Sequence, residues 1–127
     1  MIDVNIEIIR QEWNANVGVP MNEEPTLIHQ DEGKLMFHLM YEELLEFKNA
    51  IESGNIVEIA DALGDIQYLL NGTVNQYGLH GAWDQIQREI HESNMTKLID
   101  GKLVKREDGK VLKPDTYVRP DLEWLNR

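Results

Sequence analysis

Apolar residues recur at helical spacing in four stretches of the chain. Val4, Ile6, Ile8, Ile9, Trp13 and Val17 predict an amphipathic helix over 3–16, with Asp3 as its N-cap. Gly18, Pro20 and Pro25 then predict a loop of roughly a dozen residues, long enough in a small domain either to cover a pocket or to serve as a plain crossover. Leu35, Phe37, Leu39, Met40, Leu44, Leu45, Phe47 and Ile51 predict a second helix over 31–52, stopped by Gly54. Its apolar surface is wider than one stripe, as expected of a helix covered on more than one side. A third helix is predicted over 55–77 from Ile56, Val57, Ile59, Leu63, Ile66, Leu69, Leu70 and Val74. It contains Gly64 and Gly72, each costing about 1 kcal/mol against alanine and tolerated where helices approach closely. After Gly78 and Gly81, Trp83, Ile86 and Ile90 predict a fourth helix over 82–93.

The tail changes character. Lys102-Leu103-Val104-Lys105 and Lys110-Val111-Leu112-Lys113 alternate on either side of Asp108-Gly109, which predicts a β-hairpin. The expected fold is therefore all-α: an antiparallel bundle of four to five helices, one domain over 1–127, with a short C-terminal hairpin. The 127 residues and 42% hydrophobic content suffice for one core. The absence of cysteine excludes disulfides and thiolate metal sites. No apolar run approaches bilayer length and no signal pattern opens the chain, so a cytoplasmic protein without membrane association is expected.

Charge sharpens this picture. The net charge is −11, but residues 1–93 stand near −13 and residues 94–127 near +2. An acidic body repels nucleic acid polymers and anionic membranes. An anionic substrate would approach it only through bridging cations or the basic tail.

The acids are placed with a pattern. Glu43 and Glu46 share a face of the second predicted helix, and Glu58 and Asp61 share a face of the third. A short connection at Ser53-Gly54-Asn55 folds the two helices antiparallel, so the four carboxylates converge. Asp65 lies one turn beyond Asp61 on the same face. These acids interrupt very apolar helices, and a carboxylate near a core needs a partner. Hard oxygen donors favour Mg²⁺ or Mn²⁺. Competing chemistries are missing: no glutamate is followed three residues on by histidine, no phosphate-binding glycine loop occurs, and His29, His38, His80 and His91 lack ligand spacing. At the end of the fourth helix, Asn94 and Lys97 are three apart and can face one way, with Lys97 as a point charge for a phosphate. Helix-end capping explains the same two residues.

Glu42-Glu43-x-x-Glu46 followed by Glu58-x-x-Asp61 resembles the signature of the all-α nucleoside triphosphate pyrophosphohydrolases, nearest their MazG-like, phosphoribosyl-ATP-pyrophosphohydrolase-like branch. Gly18 through Pro25, Asp61 through Tyr68, and Ser93 through Lys97 leading to Val111 carry the rest of the resemblance. The resemblance implies Mg²⁺-dependent (or Mn²⁺-dependent) hydrolysis of a nucleoside triphosphate between the α and β phosphates. It implies Glu43, Glu46, Glu58 and Asp61 as metal ligands, and Glu42 or Glu46 as the group that activates water. Asp65, Asn94, Lys97, Arg106 and Lys110 are then the substrate-side contacts. It also implies a homodimer or homotetramer. Base preference would depend on a pocket involving Trp13, the 20–25 loop and Tyr68. Two other readings fit the same letters: a Mg²⁺–nucleotide binding module without turnover, and a structural helical dimer whose acids face water.

Overall fold

The computed structural model describes residues 4–126. They form four main helices: α1 over 6–17, α2 over Gln30–Ser53, α3 over Ile56–Gln76 and α4 over Trp83–Met95. No β-strand forms among the described residues, and no helix among them is long and apolar enough to cross a membrane. The chain divides into two compact units, one ending at Gly81 and the other beginning at Ala82.

In the first unit, α2 and α3 pack as a hairpin and α1 packs on α3. Each helix end has a local cause. The expected cap Asp3 lies outside the described residues; Asn5 caps α1 by accepting the Ile8 N–H at 3.1 Å. Within α1, Arg10–Asn14 is wound as a π-helix, a form common where a helix serves a functional site. His29 caps α2, its Nδ1 accepting the Asp31 N–H at 3.1 Å. Gly54 closes α2 at φ 66°, the left-handed conformation glycine adopts without a Cβ penalty. Asn55 starts α3 at once by accepting the Val57 N–H at 2.9 Å. A single residue, Gly54, is thus left between a C-cap and an N-cap, which is what folds α2 and α3 back on each other.

The predicted loop before α2 is tied to the far end of α3. Thr26 N–H donates to the Tyr77 carbonyl at 2.9 Å, and the Asn22 side-chain amide to the Gln76 carbonyl at 2.7 Å. Gly78 makes this crossing possible: its φ is +68°, and a Cβ there would lie 2.0 Å from the Glu24 carbonyl oxygen. Gly72 faces the Asn14 side chain of α1 at contact distance, in line with the expected close helix approach, whereas a Cβ on Gly64 would meet nothing within 4 Å.

In the second unit, Ile86 and Ser93 of α4 are buried. Ser93 Oγ donates to the Val118 carbonyl at 2.7 Å, and Val118 N–H donates to Thr96 Oγ1 at 2.8 Å, so the tail is fastened to the end of α4. The β-hairpin expected here does not form. Its turn exists, with Gly109 at φ 83° and Gly109 N–H donating to the Arg106 carbonyl. Pairing stops at one isolated bridge, Lys105 with Val111. The flanking side chains are mostly exposed and make no apolar face, so nothing stabilises a longer two-stranded ladder.

Candidate metal and nucleotide site

The α2–α3 hairpin brings acids from both helices together. One carboxylate oxygen each from Glu43, Glu46 and Asp65 lie within 4.8 Å of one another. Helix geometry explains the set: Glu43 and Glu46 are three apart on α2, and the antiparallel α3 presents Asp65 across from them. Glu58 and Asp61 stand nearer the hairpin turn. Together with Glu46 they line a recess of about 220 Å³. The four residues grouped from sequence are therefore split: Glu43 and Glu46 meet Asp65, while Glu58 and Asp61 meet Glu46 alone in the adjoining recess. Glu46 belongs to both groups. Glu42 is exposed and outside the trio.

Glu43 differs from its neighbours. Its Oε2 is buried and has no hydrogen-bond partner. Burial, then the charges of Glu46 and Asp65, push its carboxyl above the usual carboxylate range. Without a cation this group is penalised twice, by lost hydration and by like charge.

Behind the trio lies a cavity of about 350 Å³ between α1, α2 and α3. Glu43 and Asp65 form part of its wall, so acid cluster and cavity are continuous. Met36 and Leu39 of α2 and Val19 of the loop make its sides apolar. Trp13 and Tyr68 line it as an edge-to-face pair with ring centroids 5.9 Å apart. Two carboxamides, Asn14 and Gln76, also face it, and sequence reading did not single them out. Asn14 is locked: its Nδ2 donates to the Gly72 carbonyl at 3.2 Å and its Oδ1 accepts from Asn75 at 3.1 Å. Gln76 Oε1 is buried and unpartnered. A signal was present in the sequence, since Asn71, Asn75 and Gln76 interrupt an otherwise apolar helix and all three are buried.

The remaining candidates lie in the second unit. Lys97 Nζ donates to Asn94 Oδ1 at 2.9 Å and stands 5.7 Å from the Tyr117 ring centre, with Lys113 at 5.2 Å from the same ring. The expected facing of Asn94 and Lys97 is therefore met as a direct contact. Arg106 is paired to Asp108 at 2.6 Å, and Asp108 also accepts the Lys110 N–H, so Arg106 and the Lys110 backbone hold the turn. The Lys110 side chain is exposed.

No curated protein matches the chain. A family model does: the one described as phosphoribosyl-ATP pyrophosphohydrolase matches residues 12–94, which takes in most of α1, all of α2 and α3, and α4 to Asn94. Lys97, Arg106 and Lys110 lie beyond the matched span. With every acid of the hairpin inside that span, the chain belongs to the phosphoribosyl-ATP pyrophosphohydrolase family of the MazG-like nucleoside triphosphate pyrophosphohydrolases, a family of hydrolases.

Proposed function

We propose that this protein hydrolyses a ribo- or deoxyribonucleoside triphosphate at the α–β phosphate bond, giving a nucleoside monophosphate and pyrophosphate, with Mg²⁺ as its cofactor. The observation that carries this reading is the buried, unpartnered Glu43 Oε2 within a trio of carboxylates on a cavity wall. A buried carboxylate oxygen without a partner is costly, and three carboxylates side by side repel one another. A divalent cation among them removes both penalties. The donor set is all oxygen, which suits Mg²⁺ or Mn²⁺.

Glu43, Glu46 and Asp65 would hold the ion, and Glu58 and Asp61, through the recess they share with Glu46, would hold a second. Asp65 thus moves from substrate contact to ligand. Such a cation neutralises triphosphate charge and lowers the pKa of a coordinated water. Glu46, exposed and common to both acid groups, orients the attacking water and takes its proton. That role falls to Glu46 rather than Glu42 because Glu42 stands apart from the trio. Asn94, Lys97 and Lys110 are assigned to the substrate on chemical grounds: an amide for sugar or phosphate oxygens and ammonium groups for phosphate charge. Arg106, already paired with Asp108, serves the tail turn first.

The functional form is a homodimer or homotetramer. Phe37, Leu44, Ile56 and Val57 of the α2–α3 hairpin are each more than half exposed in one chain, an apolar surface that a second copy would cover. Incubation with a panel of ribo- and deoxyribonucleoside triphosphates and Mg²⁺, followed by pyrophosphate detection, tests the activity. Release is expected with at least one member and is abolished by Glu43→Ala with helicity by circular dichroism intact. No release across the panel, or full release by Glu43→Ala, would overturn it.

A further inference from the structure

We propose that the cavity between α1, α2 and α3 receives the base of the nucleotide, and that the Gln76 carboxamide is the group that discriminates among bases. The inference rests on the nucleotide reading above but concerns recognition rather than turnover.

Three observations converge on it. The first is continuity. Glu43 and Asp65 belong to both the acid trio and the cavity wall, so a triphosphate held at the trio directs its nucleoside into the cavity. Asp65 and Gln76 are about three turns apart along α3, which leaves length for ribose and base between them. The second is surface chemistry. The sides are apolar, and the Trp13–Tyr68 pair offers flat faces for stacking. Stacking of this kind binds any base, because every base has a π-face. It supplies affinity without selectivity.

The third is the amide itself. Gln76 is only 6% exposed, yet its Oε1 has no partner. Its backbone is fixed by the loop, since the Gln76 carbonyl accepts the Asn22 amide at 2.7 Å. Asn14 beside it has its amide nitrogen and oxygen engaged by Gly72 and Asn75, so it forms wall and contributes no free reading group. The π-helical turn at Arg10–Asn14 puts the sequence neighbours Trp13 and Asn14 on the same cavity. Gln76 is therefore the cavity amide with an unused acceptor at a buried position. A carboxamide pairs best with an edge presenting an N–H donor next to an acceptor. The ligand class is a nucleotide whose base places such an edge at Gln76. A base that puts two acceptors or two donors there leaves a buried polar group unpaired and binds more weakly.

The test is calorimetric titration of AMP, CMP, GMP and UMP, with Mg²⁺ present, into the full-length protein and two variants. Wild type is expected to prefer one monophosphate over the weakest by about tenfold or more, the discrimination typical of one well-placed amide pair. Gln76→Met, close in size and apolar, is expected to bring the four affinities to within about twofold of one another. Tyr68→Ala, at a position already 41% exposed and so safe for folding, is expected to weaken all four together by about tenfold while keeping their order. Equal binding of the four by wild type would overturn the proposal. So would Gln76→Met retaining the wild-type preference, or Tyr68→Ala leaving every affinity unchanged. The titration reads binding without turnover, so it stays decisive even if no triphosphate is hydrolysed.

Discussion

At the scale of single residues, the site is organised by unequal solvation of similar acids. Glu42, Glu43 and Glu46 are neighbours in sequence, but only Glu43 buries an oxygen without a partner. If Glu46 handles the proton of the attacking water, Glu46→Gln lowers kcat by 10²-fold or more, whereas Glu42→Gln stays within about threefold of wild type. Steady-state pyrophosphate release by the two variants checks this, and the reverse order would move the base to Glu42. The raised Glu43 pKa also has a thermodynamic sign. A carboxyl that holds its proton more tightly when folded loses stability as pH rises from its unfolded value near 4.5 through its higher folded value. Metal-free protein should therefore melt at falling temperature across that window, and Glu43→Gln should lose this part of the slope. Added Mg²⁺ should restore stability at the upper end. Thermal melts in chelator and in Mg²⁺ over pH 4.5–8 make the comparison. Glu7 works in the opposite sense: hydrogen bonds from Arg10 and Gln11 hold it down to about 2, so its contribution is kept above its usual range and lost only as pH falls toward 2.

At the scale of elements, the sequence was most readable where one local signal sufficed. Gly54 and Asn55 mark the hairpin turn by the chemistry of their caps, and α2 and α3 lie within a residue or two of the expected bounds. The pairing of Asp65 with Glu43 was harder to read. It depends on the longitudinal register of two helices, which packing decides and spacing within one helix does not. Gln76 was harder still, because an amide on an apolar helix looks the same in sequence whether it is satisfied or waiting. The tail failed for a different reason: Asp108-Gly109 does make a turn, but a turn signal says nothing about whether the flanking strands have a face to bury. The loop before α2 yields its own prediction. Gly78→Ala adds left-handed strain and a clash with the Glu24 carbonyl, together about 3 kcal/mol of destabilisation. Chemical denaturation should show it as a lower midpoint with an unchanged slope; a loss below about 1 kcal/mol would mean the loop yields easily.

At the scale of the molecule, the described chain leaves much apolar surface in water. Among the described residues only Ile9, Ala50, Ala62, Val74 and Ile86 are fully buried hydrophobics, while Phe37 and Tyr41 stack on an exposed face of α2. Light scattering on the purified protein should give a dimer or tetramer, and Phe37→Glu should shift it toward monomer; a monomeric wild type would contradict the assembly. The charge of the whole points the same way as its acids. Residues 1–93 stand near −13, so a triphosphate meets repulsion unless cations bridge it to the body. The central claim is thus that a divalent ion belongs between α2 and α3. Its most direct test is a crystal structure with Mn²⁺ and a nonhydrolysable nucleoside triphosphate, using the anomalous signal to place the metal. The account predicts Mn²⁺ bonded to oxygens of Glu43, Glu46 and Asp65 and to the triphosphate. Those carboxylates turned to solvent, with no metal among them, would contradict it.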